Sequence, residues 1–202
     1  AATVTVGAAV SDAGDDTSPA INGGDGGTTT SVLVNDTLNG VAADPAAVTL
    51  TPGASPNPGL VMNPDGTITV DAGTPAGTYL YPYTICEVIN PTNCDAAVAT
   101  VVVTAPAIDA VDDTPPPVDG ENGGTTPSVL VNDTLNGAAV VPAEVILTPG
   151  TAPTPISGSL VMNPDGTITI APGTTSGTYV YPYTICEVAN PTNCDSANAT
   201  IV

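Results

Sequence analysis

The chain of 202 residues carries 20 acidic side chains, no Lys, no Arg and no His, for a formal charge of −20. Without cations it has no grip on a phosphate backbone or an anionic membrane surface. Without His or Lys it has no Ser-His triad, imidazole metal ligand, Walker loop or Schiff base.

Hydrophobic residues make up 42% of the chain, too many for an acidic disordered tail. No apolar run approaches the roughly 20 residues of a membrane span, and no signal peptide or lipidation motif is visible in this window. Side-chain salt bridges are impossible, so stability must come from packing, the backbone ladder and covalent links. A trypsin-like protease finds no site, which suits a protein outside the cell.

In chain order, ATVTV at 2–6 matches ATVVV at 99–103, so residues 1–7 read as the last strand of a preceding repeat. SVLV (31–34) reads as a short strand ended by the turn NDTLNG, and VTLT (48–51) as a second, closed by Pro-Gly. LVM (60–62) and TITV (67–70) flank NPDG, a tight hairpin turn. TYLYPYTICEV (78–88) is the longest strand, and AVATVVVT (97–104) pairs with it through INPTNCD. No segment keeps a helical period beyond two turns.

The pattern then starts again. SVLVNDTLNG at 31–40 recurs at 128–137, LVMNPDGTIT at 60–69 recurs at 160–169, and TYVYPYTICEVANPTNCD fills 178–195. The spacing widens where ASPNPG (54–59) becomes TAPTPISGS (151–159), a surface loop that tolerates insertion. The prediction is an all-β chain of two tandem immunoglobulin-like β-sandwich repeats, 8–104 and 105–202, of about seven strands each.

Tyr79, Tyr81, Tyr83 and Ile85 share one strand face and, with no Phe or Trp in the chain, supply its largest apolar bodies. Pro82 lies on the opposite face and lacks a donor, so the strand is locally an edge or bulged. Cys86 and Cys94 flank one hairpin turn, and Cys186 and Cys194 the other. Disulfides within each repeat close small rings and imply an oxidising compartment. Pairing across repeats would have to span a domain length, and CxxC metal spacing is absent.

These residues resemble a known family. VLVNDTLNG, NPDGTIT and YTICE…NPTNCD are similar to the tandem immunoglobulin-like repeats of very large Bacteroidota surface adhesins, exported by the type IX system and in some cases serving gliding motility. The resemblance covers nearly the whole chain twice and implies a secreted, surface-anchored fibre or adhesin. It departs in having no Lys. A looser likeness to cadherin-like bacterial repeats, through AVDD and VLVNDT, implies calcium at inter-repeat junctions. Asp12, Asp15 and Asp16, then Asp109, Asp112 and Asp113, are the candidate ligands. The other reading is a solvated linker kept extended by its own charge. Bacteroidota also link glycans to Asp-Ser/Thr-apolar tripeptides, which nominates Thr37, Thr134 and Ser196.

The expected function is a non-catalytic structural or adhesive segment at the cell surface. Its partners would be neighbouring repeats of the same chain or fibre, and surface glycans. A filament subunit polymerising end to end or by strand addition and a carbohydrate-binding module are the alternatives. Glycoside cleavage needs paired carboxylates, but Asp65 and Asp165 fall in hairpin turns and Glu87 and Glu187 beside cysteines.

Overall fold

The computed structural model describes residues 1–7 and 9–202; the expected first residue of the first repeat, 8, lies outside them. The chain forms two compact units, Ala1–Ala105 and Pro106–Val202, each an all-β sandwich. The first runs β1 (Ser11–Asp12), β2 (Asp16–Thr17), β3 (Ile21–Asn22), β4 (Gly27–Thr28), a 3-10 turn (Val32–Val34), β5 (Thr37–Leu38), β6 (Val41–Ala42), β7 (Val48–Pro52), β8 (Leu60–Met62), β9 (Ile68–Val70), β10 (Gly77–Glu87) and β11 (Cys94–Thr104). One sheet has the order β2-β11-β10-β7, with β3 also on β11; β4-β9-β8 forms another, and β1-β5-β6 a small third.

The second unit repeats the plan. It comprises β12 (Ile108–Asp109), β13 (Gly124–Thr125), a 3-10 turn (Val129–Val131), β14 (Thr134–Leu135), β15 (Ala138–Ala139), β16 (Val145–Pro149), β17 (Leu160–Met162), β18 (Ile168–Ile170), β19 (Tyr179–Glu187) and β20 (Cys194–Ile201). Its sheets are β16-β19-β20, β13-β18-β17 and β12-β14-β15.

Alternation along β10 and β11 sets the core. Tyr81, Tyr83, Ile85, Ala97, Ala99, Val101 and Val103 are buried and cluster with Leu60, Met62, Ile68 and Val70 of β8 and β9. Leu80 and Pro82, on the other face, are exposed. The tyrosine face is therefore core, as alternation predicts. The expected break at Pro82 is present too. β7 stops at Pro52, opposite Tyr83, and Gly53 N donates to Pro82 O at 2.8 Å. The missing N–H of Pro82 thus falls where the ladder on that side has ended.

SVLV is not a strand. Val32 and Leu33 are consecutive and both buried, which a period-two strand cannot arrange and a tight turn can. Ser31 Oγ accepts from Leu33 N at 3.2 Å as the N-cap and donates to Asp65 O at 2.7 Å, tying this turn to the NPDG hairpin. NDTLNG, read as a turn, is a miniature hairpin: Thr37 pairs with Ala42 and Leu38 with Val41. Asn39 and Gly40 both take positive φ, 58° and 72°, the type I′ geometry that Asn-Gly favours. A Cβ on Gly40 would meet no atom within 4 Å, so Gly40→Ala carries a backbone cost alone. Urea unfolding should show a loss of about 1 kcal/mol.

Candidate functional site

The polar groups that recur in both units converge on one tyrosine hydroxyl in each. Tyr83, on β10, is 1% exposed. Its Oη lies 3.0 Å from Asp16 Oδ2, 3.0 Å from Asp36 Oδ1, 2.9 Å from Gly14 O and 3.4 Å from Val32 O. Asp36 precedes β5 and is fully buried; its Oδ1 also accepts from Gly14 N at 2.8 Å. Its Oδ2 has no hydrogen-bond partner. In the second unit Asp133, equally buried, accepts from Val111 N at 2.8 Å and from Tyr183 Oη at 3.1 Å.

The electrostatics follow from burial without a cation. Burial pushes the Asp16 carboxyl from 3.8 up to about 6, aided by Asp36 and Asp15 and opposed by the Tyr83 hydrogen bond. Asp113 rises to about 6 in the same way, with Asp133 and Asp112 as its like-charged neighbours. Burial also raises Asp36 and Asp133 against the hydrogen bonds they accept. Desolvation, reinforced by the facing carboxyls, holds both tyrosine hydroxyls well above the ordinary phenol range.

A folded carboxyl that binds its proton more tightly than the unfolded one adds stability in acid and loses it as pH rises through the folded value. Asp16 and Asp113 therefore destabilise their units progressively between about pH 4 and 6. Asp65 and Asp165 act oppositely: hydrogen bonds from Thr67 and Thr167 lower them, so their contribution fades only in stronger acid. Chemical denaturation from pH 3 to 8 should find maximal stability in mild acid, and Asp16→Asn with Asp113→Asn should flatten the alkaline fall.

Of the six aspartates nominated as calcium ligands, two hold a neighbouring strand's backbone. Asp15 Oδ1 accepts from Val98 N at 2.9 Å and Asp112 Oδ1 from Asn198 N at 2.8 Å, standing in for a neighbouring strand. Asp16 and Asp113 lie beside the tyrosines, while Asp12 and Asp109 sit exposed on β1 and β12. Among the described residues, no three acidic or thiol side chains form a group that could hold a metal ion.

Of the nominated glycan acceptors, Thr37 and Thr134 are half-buried on β5 and β14, behind the fully buried Asp36 and Asp133. Ser196 is exposed, its Oγ 2.8 Å from Thr184 Oγ1.

The cysteines pair within each repeat as Cys86–Cys94 and Cys186–Cys194, with Cα atoms 4.1 Å apart in both. Each bridge is a direct cross-strand pair. The loop beyond is organised by a buried acid: Glu87 Oε2 accepts from Asn90 Nδ2 at 2.8 Å and Asn93 Nδ2 at 2.9 Å. Asn93 Nδ2 also donates to Ala9 O at 2.7 Å, fastening the incoming chain. Asp95 Oδ2 adds a bond from Ala13 N at 2.8 Å.

Sequence reasoning missed Asp36 and Asp133 as partners of the tyrosine hydroxyls, and Asp95 and Asp195 as acceptors for Ala13 N and Ala110 N. The signal was the identical return of VNDT and TNCD.

No protein-family model matches the chain, and no curated protein matches it. Solved structures give remote likenesses. The human desmocollin-1 ectodomain is 7% identical over 96% of this chain and 41% of its own, with a TM-score of 0.37. An endo-fucoidan hydrolase of glycoside hydrolase family 107 is 12% identical over 94% of this chain and 27% of its own, at 0.35. Sidekick-1 immunoglobulin domains 1–4 are 12% identical over 96% and 51%, at 0.32. The chain thus spans about half or less of these structures, and none is close enough to transfer a role.

Proposed function

We propose that this chain is a structural and adhesive repeat segment of an extracellular fibre or adhesin stalk, without catalysis. One observation carries it. The same self-contained sandwich is built twice, each copy with its own core, its own tyrosine cluster and its own disulfide. Modules closed in this way extend a chain without redesign, because stability sums over units. Two disulfides and no free cysteine favour an oxidising setting.

The acids open to a catalytic reading have structural work: Asp65 ties its turn through Thr67 and Glu87 organises the loop after β10. A filament subunit is the second reading, favoured by Val4 and Val6, 82% and 88% exposed, in a segment that matches the last-strand sequence at 99–103.

The deciding experiment is the mass of the native polypeptide, denatured without reduction, together with antibody labelling of intact source cells. A surface-labelled chain far above 19.6 kDa supports the stalk. A chain near that mass that assembles into filaments overturns it, and an intracellular location overturns both readings.

A further inference from the structure

We propose that the parallel pairing between each repeat's leading segment and its last strand is a force-bearing clamp, loaded in shear when the chain is pulled. This deepens the stalk function, which supplies the tension; the clamp itself is a property of the fold.

Among the described residues of the first unit every other strand pairing is antiparallel. Only β2 and β3 run parallel to their partner β11, with Asp16 opposite Ala99, Thr17 opposite Thr100, Ile21 opposite Val103 and Asn22 opposite Thr104. Tension enters this unit ahead of β1 and leaves after β11. Because the two segments run the same way, the pull drags one lengthwise along the other. All the bonds joining them must then stretch together, whereas an antiparallel pair pulled from one end opens one bond at a time.

The joint is dense for its length. Ser18 N donates to Thr100 O at 3.0 Å and Gly23 N to Thr104 O at 2.8 Å. Asp15 takes the Val98 amide and Asp16 lies against the Tyr83 hydroxyl, so side chains pin the segment sideways as well. The short β1–β5 pairing stands ahead of the joint; strands β4 to β10 lie in sequence between the two loaded segments, so the chain through them is not stretched until the joint opens.

The second unit carries a version that lacks one of these bonds. Asp113 pairs in parallel with Ala199, with Asp113 N donating to Asn198 O and Thr200 N to Asp113 O, both at 2.9 Å, and Val118 N donates to Val202 O at 3.1 Å. Ser18 of the first repeat, however, corresponds to Pro115, followed by Pro116 and Pro117. Proline has no N–H to donate, so the Ser18–Thr100 bond has no counterpart.

The test is single-molecule pulling of the whole chain between handles at its two ends, disulfides intact. Two unfolding events at distinct forces are expected. Ser18→Pro should lower the higher force toward the lower one. Pro115→Ser should raise the lower force, a gain that misfolding cannot mimic. Equal forces in the two repeats, or forces unmoved by Pro115→Ser, overturn the clamp. Surface labelling and native mass are independent of these forces, so the stalk can fail while the clamp stands, and the reverse.

Discussion

Tyr83→Phe should lower the stability of the first repeat by about 2–4 kcal/mol, although it removes a single oxygen. The ring stays and the core volume is nearly unchanged, so the loss is not a cavity effect. What disappears is the donor between Asp16 and Asp36, two carboxyls that have no cation anywhere in the chain to turn to. Asp36 is fully buried and cannot recover the bond from water. Urea unfolding followed by far-UV circular dichroism, at pH 5 and pH 8, measures the cost. It should be larger at pH 8, above the value of about 6 to which Asp16 is raised, where that carboxyl carries charge beside Asp36. A loss below about 0.5 kcal/mol at both values would show that the hydroxyl is not holding the cluster.

Removing the staple should cost about as much. The double replacement of Cys86 and Cys94 by Ser opens a ring with a sequence separation of 8, and chain entropy sets the loss at about 2–3 kcal/mol. The direction is firm because the native strands need no bridge to find their register. Tyr81 against Ala99 and Tyr83 against Ala97 already fix it, so the bond acts mainly on the unfolded chain. Calorimetry of the replaced and parent chains checks this. Wild type treated with a mild reductant should match the variant, because Cys94 is exposed.

Much of this architecture could be read before any coordinates. Tyr79 to Ile85 alternate, NPDG can do little but turn, and two cysteines around one hairpin face each other by geometry. What escaped was of another kind. SVLV has the composition of a strand, but Val32 and Leu33 both need the core, and only the capping bond of Ser31 reveals the 3-10 turn. Asp36 looked like ordinary turn chemistry because its partners, Gly14 and Tyr83, lie far away in sequence. Asp15 gave no local sign of its bond to the Val98 amide, because a carboxylate that replaces a strand's carbonyl acceptor leaves no local pattern. Periodicity reports which face is buried; it does not report which distant amide a carboxyl will answer.

The cross-strand bridges also change what damage means. Val88 and Ile89, 47% and 81% exposed in the loop between Cys86 and Cys94, offer an apolar target to digestive enzymes that ignore basic residues. A cut there would leave both ends of the loop joined through sulfur. The thread would be nicked but not severed, and whatever hangs from its far end would stay attached.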